Sequence, residues 1–129
     1  MNYRIFLFVY FISLSCFSQN IVREAIKNSN LQEIAYQLNL EPGSEQTIET
    51  TFTIEKDGML SNMQAFSNYP ELNEEALRIL KTVGKLQPRE VRGKMVTQDI
   101  SLPIVFKVES KQSRIYRLRK EARSKKNEN

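Results

Sequence analysis

A chain of 129 residues, 40% apolar and 26% charged, is long enough for one globular domain and hardly for two, and its composition excludes a wholly disordered protein. It has no histidine and one cysteine, Cys16, so it lacks the side chain on which most serine triads and zinc sites depend, and no intrachain disulfide can form. The formal net charge of +4 is segregated: Gln19 to Glu109 holds ten basic and thirteen acidic residues, a net −3, whereas Ser110 to Asn129 holds eight basic and two acidic, a net +6.

The N-terminus reads as a leader. Arg4 precedes an apolar run from Ile5 to Phe17, interrupted by Ser13, Ser15 and Cys16. That run is shorter than the ~20 residues needed to cross a bilayer but suits the apolar region of a signal peptide. Cys16 and Ser18 put small residues at −3 and −1 of a cut before Gln19, so residues 1–18 are expected to be removed on export. Two readings compete with this one. Cys16 is a candidate for acylation as a lipoprotein cysteine, although Leu14 stands at −2, one position out of register with the usual motif, and the run could also be kept as an uncleaved anchor.

The segment 19–45 is expected to be helical. Val22, Ala25 and Ile26 share one helix face, Asn28-Ser29-Asn30 interrupts it, and Leu31, Ile34, Ala35 and Leu38 form a second stripe. Asn30 followed by Glu33 has the spacing of a capping box. Glu41-Pro42-Gly43-Ser44 then makes a turn.

From Thr47 the period becomes two, with Ile48, Thr50, Phe52 and Ile54 on one face of a strand. Lys56-Asp57-Gly58 predicts a hairpin with a type I′ turn. In the returning strand, Leu60 to Ser67, the alternation slips near Asn62, as a β-bulge would make it do. Pro70 suits the first turn of a helix whose apolar face is Leu72, Ala76, Ile79, Leu80 and Val83, with Gly84 as its stop. Glu71, Glu74 and Glu75 are read as complementing the dipole at its start rather than as a catalytic carboxylate pair. After a turn at Arg92-Gly93-Lys94, residues 96–108 alternate as one long strand, with Pro103 placing it at a sheet edge or at a bulge.

These elements predict an α+β domain, a three-stranded antiparallel sheet with two main helices on one face in the order α-β-β-α-β, over residues 46–109. No catalytic residues, metal ligands or cofactor motif can be assembled. The glycines stand singly at turns, so none forms a phosphate-binding loop. The tail, 110–129, has Ile115, Leu118 and Ala122 at helical spacing but is otherwise basic. It is read either as a solvated, frayed tail or as a short helix for an anionic surface, with candidates Arg114, Arg117, Arg119, Lys120, Arg123, Lys125 and Lys126. Tyr116 alone gives too little aromatic content for nucleic-acid stacking.

Four stretches together resemble the TonB C-terminal domain family. Phe52 to Asn62, with its Lys-Asp-Gly turn, resembles the family's first hairpin, and Pro70 to Arg78 the start of its long helix. Leu86-Gln87-Pro88 stands where the family often has Trp-x-Pro, and Gly93 to Val96 with Ser101 to Lys107 resembles its final loop and strand. The resemblance implies a periplasmic module that adds an extended segment of an outer-membrane receptor, or of another envelope protein, to its sheet. The peptide edge it implies is the last strand, Val96 to Phe106, and because Pro103 lacks a donor the better part of it is Val96, Thr97, Gln98, Asp99, Ile100, Ser101 and Leu102. About five rungs at about 1 kcal/mol each, less the ordering of the peptide, predict micromolar to millimolar affinity. Leu86 in place of tryptophan, Met95 in place of a frequent proline, a leader that looks cleaved and only four prolines depart from the family's energy-transducing members. Energy transduction is therefore not carried over. The alternatives are a protected edge blocked by Pro103, a homodimer by strand exchange, and a scaffold attached to the envelope through its basic tail.

Overall fold

The computed structural model describes residues 16–128. The apolar part of the expected leader lies almost wholly outside them. Its elements are α1 (Cys16–Lys27), α2 (Leu31–Gln37), β1 (Glu45–Ile54), β2 (Leu60–Phe66), α3 (Pro70–Val83), β3 (Arg89–Val91), β4 (Lys94–Val96), β5 (Gln98–Lys107) and α4 (Lys111–Asn127). β2, β1 and β5 form an antiparallel sheet in that order, and β3 and β4 form a separate hairpin. The α+β architecture expected from the alternation is the one observed.

The core follows from the period-two pattern. Ile48, Phe52 and Ile54 of β1 and Ile100, Leu102 and Ile104 of β5 point to one face, where Leu72, Ala76, Ile79, Leu80 and Val83 of α3 cover them together with Val22 of α1 and Leu31 of α2. Full burial of side chains of this size contributes roughly 1.5–3 kcal/mol each. Thr50 sits among them, its hydroxyl satisfied by donating to the Leu102 carbonyl. The opposite face carries Glu49, Thr51, Thr53, Asp99 and Ser101, none of them buried, and is open.

The turns differ from expectation in an instructive way. At Lys56-Asp57-Gly58 only Gly58 has positive φ (86°), and its N–H donates to the Glu55 carbonyl at 2.9 Å. The loop is thus a type I turn closed by a left-handed glycine, with the Asp57 carboxylate accepting from Met59 N–H at 2.9 Å. A Cβ on Gly58 would lie 2.4 Å from the Leu86 carbonyl oxygen, and Leu86 N–H donates to the Gly58 carbonyl, so the hairpin loop packs directly on the chain leaving α3. The type I′ geometry occurs instead between β3 and β4, where Arg92 (φ 52°) and Gly93 (φ 78°) are both left-handed.

The bulge in β2 is present. Thr51 pairs with Gln64 and Thr53 with Ser61, so Asn62 and Met63 together oppose Phe52, and Asn62 takes φ 50°. The predicted strand 96–108 is broken: Val96 pairs with Arg89 inside the β3–β4 hairpin, and the sheet strand starts at Gln98. The two left-handed residues at 92 and 93 reverse the chain tightly enough for Lys94 to Val96 to fold back on Arg89 to Val91 before joining the sheet.

The capping box at Asn30 does not form. The Asn30 side chain makes no cap, and its backbone N–H donates to Glu75 Oε1 of α3 at 2.8 Å. Glu75 is 6% exposed and also receives the Arg78 guanidinium, with Nε to Oε2 at 2.9 Å. It is therefore a buried tie between two helices, and it lies beyond the first turn of α3, where Glu71 is the acidic residue. That hydrogen bond from Arg78, with the one from Asn30, holds the Glu75 carboxyl below the usual carboxylate range against the opposing effect of burial.

Candidate functional site

The sheet has two outer edges, and their chemistry differs. Val108 N–H donates to the Ser44 carbonyl at 2.8 Å, which makes Ser44/Val108 a hydrogen-bonded pair at the end of the β1–β5 ladder. Bonded and non-bonded pairs alternate along an antiparallel ladder. Even-numbered residues of β5 therefore turn their N–H and C=O toward β1, and the odd-numbered ones, Asp99, Ser101, Pro103, Val105 and Lys107, turn theirs outward. Pro103 obeys this parity: opposite Glu49 in a non-bonded pair, its missing N–H costs the ladder nothing. Asp99, Ser101 and Val105 each offer an outward donor and acceptor, and Pro103 an acceptor only. Among the described residues no partner reaches these four backbone sites.

The β2 edge is poorer. The same parity sends Glu49, Thr51 and Thr53 of β1 to Phe66, Gln64 and Ser61 of β2. Leu60 and Ala65 are left facing outward, with the bulge at Asn62–Met63 between them. An interrupted row of this kind is a blunted edge, whereas β5 runs straight for ten residues.

Of the residues expected to form the peptide edge, Asp99 and Ser101 present outward backbone groups. Gln98, Ile100 and Leu102 direct theirs to β1, and the Ile100 and Leu102 side chains belong to the core. Val96 lies in β4 and Thr97 links β4 to β5. The outward row also continues past Pro103 to Val105, beyond the part favoured from the sequence. The Asp99 carboxylate is held on the open face by the Thr53 hydroxyl at 2.7 Å.

The row ends at a side chain. Gln32 of α2 donates from Nε2 to the Lys107 carbonyl at 2.8 Å and accepts from Glu109 N–H on Oε1 at 2.9 Å. Nothing in the sequence marks this residue, a glutamine on a short polar helix face. Glu75 did leave a signal, since it lies three residues after Leu72 and four before Ile79, on the apolar stripe of α3.

The basic tail is helical and docked. Ser110 caps α4 by accepting from Ser113 N–H at 3.1 Å. Arg114 Nη2 bonds to Glu33 Oε1 at 2.9 Å, and its guanidinium lies 3.8 Å from the centroid of the Tyr36 ring. Arg117 reaches Glu109 at 2.8 Å and Glu121 at 3.2 Å. Two of the seven anionic-surface candidates are thus paired within the chain. Arg119, Lys120, Arg123, Lys125 and Lys126 are exposed, and among the described residues none of these five makes an ion pair. No helix among the described residues is long and apolar enough to cross a membrane.

Residues 40–108 match the family model described as Gram-negative bacterial TonB protein C-terminal. The fold is similar to the solution structure of the Helicobacter pylori TonB C-terminal domain, with a TM-score of 0.55 at 20% identity over 81% of this chain and 92% of that one. A Pseudomonas aeruginosa TonB C-terminal domain matches at 24% identity and a TM-score of 0.42 over 61% of this chain and 77% of that one. No curated protein matches the chain. The family model takes in both strands of the first hairpin, α3, the β3–β4 hairpin and β5, and the chain belongs to the TonB C-terminal domain family.

Proposed function

We propose that this interaction module of the cell envelope binds an extended segment of an outer-membrane protein by adding it as a strand to the outer edge of β5, in the periplasm after export. The observation that carries the reading is the asymmetry of the sheet: β5 offers a straight row of outward backbone groups at Asp99, Ser101, Pro103 and Val105, and β2 does not. Main-chain bonds supply the affinity of such complexes, and alternate side chains the selectivity. Three donors and four acceptors at about 1 kcal/mol net each, less the cost of ordering the peptide, give micromolar to millimolar binding.

An NMR titration of labelled protein with peptides from the periplasmic N-termini of outer-membrane receptors tests this. Saturable shifts centred on Asp99 to Val105 are the expected result. An unshifted spectrum at millimolar peptide refutes the reading. A second copy of the chain competes for the same edge, and sedimentation of the free protein separates that case: a dimer that peptide does not dissociate assigns the edge to self-pairing.

The exposed basic half of α4 favours a second reading, attachment to an anionic envelope surface. Five cations near such a surface attract at roughly 1 kcal/mol each before salt screening. Vesicles containing phosphatidylglycerol should retain the protein at low salt and release it when residues 119–129 are removed. No retention at low salt removes this reading.

A further inference from the structure

We infer that Gln32 is a built-in last rung of the β5 edge, setting where an added strand must stop. The inference rests on the strand-addition reading above and goes beyond it by assigning the length of segment the site accepts.

The geometry is that of a peptide group. A residue in an added parallel strand donates its N–H to the carbonyl of one edge residue and accepts from the N–H two positions further on. The Gln32 carboxamide makes this pair of bonds, to the Lys107 carbonyl at 2.8 Å and from Glu109 N–H at 2.9 Å. Lys107 is the next outward position after Val105, and Glu109, two residues on, lies just past the end of β5 with its N–H on Gln32. The side chain therefore occupies the site that the next residue of an added strand would fill. An antiparallel strand meets the same stop, because its rung at Lys107 needs the carbonyl that Gln32 holds.

Gln32 is itself held from behind. Leu31, its neighbour, is 2% exposed in the core, and Glu33 is gripped by Arg114 of α4. The glutamine thus projects from a helix fixed on both sides of it. What remains open is Asp99 to Val105 and the outward N–H of Lys107, about seven residues of added strand, with one peptide carbonyl left to water opposite Pro103.

The test measures affinity against peptide length. The probes are capped peptides of alternating threonine and valine, five, seven, nine and eleven residues long, with a lysine at each end for solubility. They are titrated into the full chain and into its Gln32→Ala variant. In the wild type, affinity should rise to seven residues and then level off. In Gln32→Ala it should continue to rise to nine, ending about tenfold tighter than the wild type on the nine-residue probe. Amide exchange at Glu109 reports the cap without any peptide, and should quicken in the variant while the core amides stay protected. Equal plateaus in the two proteins, with Glu109 unprotected in the variant, overturn the role of Gln32 while leaving strand addition intact. No binding of any length to either protein overturns both.

Discussion

Replacing Ser101 with proline separates the two sides of β5. Ser101 faces Thr51 in a non-bonded pair, so its N–H points out of the sheet and contributes nothing to the β1–β5 ladder. Proline at this parity already occurs two residues later, at Pro103. Ser101→Pro should therefore change folding stability by less than about 1 kcal/mol. For an added peptide the loss is larger: one rung of about 1 kcal/mol disappears, and the carbonyl that would have accepted it is left unpaired at about 1 kcal/mol more. The sum of about 2 kcal/mol weakens binding roughly thirtyfold. Leu102→Pro is the internal contrast, because Leu102 is bonded to Thr50 and buried, and its loss should destabilise the domain by about 3 kcal/mol. Thermal melts establish that Ser101→Pro is folded, and peptide titration gives its Kd. A folded Ser101→Pro that binds as tightly as wild type refutes pairing at the outer edge of β5.

Other perturbations probe the parts that hold this edge in place. Gly58→Ala forces a Cβ to within 2.4 Å of the Leu86 carbonyl at a φ of 86°, and should cost about 2 kcal/mol or more in urea denaturation. Glu75→Gln keeps the shape of the tie between α2 and α3 but removes its charge. Because the Glu75 carboxyl titrates below its ordinary 4.5 in the folded state, its contribution is complete above that pH and is lost as pH falls through the folded value, so the stability gap between wild type and Glu75→Gln should close in acid. Arg114→Ala combined with Arg117→Ala removes the grip of α4 on Glu33 and Glu109, and amides of Lys111 to Asn127 should exchange faster. The core should melt within a few degrees of wild type, since partly exposed ion pairs contribute under about 1 kcal/mol each.

The sequence carried the sheet and its helices because those elements are specified by local periodicity. The strand of Ile48 to Ile54, the stripe of Leu72 to Val83, and the slip at Asn62 that becomes a bulge can all be read within a dozen residues. What was not legible depends on contacts between distant positions. Glu75 meets Asn30 across 45 residues and Gln32 meets Glu109 across 77, and no local pattern encodes either meeting. The break at Thr97 was hidden because Lys94 to Val96 alternates in continuity with Gln98 to Lys107, and only the left-handed pair at Arg92 and Gly93 shows that the chain folds back first. The sequence leaves the tail open between a solvated coil and a short basic helix because its own hydrophobicity is low. Its helix is held by Glu33, Tyr36 and Glu109, none of which belongs to it. The parity that divides β5 into inward and outward residues became available once its register against β1 was known, and it narrows the favoured part of the edge while extending it to Val105.

The bulge at Asn62 has a consequence for assembly. With β2 interrupted and β5 intact, the described residues of the sheet offer one straight edge, so strand addition there would leave no second one from which to continue. Two copies meeting at β5 would use up both competent edges in one closed, six-stranded pair, and a third would find only bulged ends. If strands add at β5, such a module would close as a pair rather than grow into a fibre, and a strand bound there would exclude any second strand from that edge.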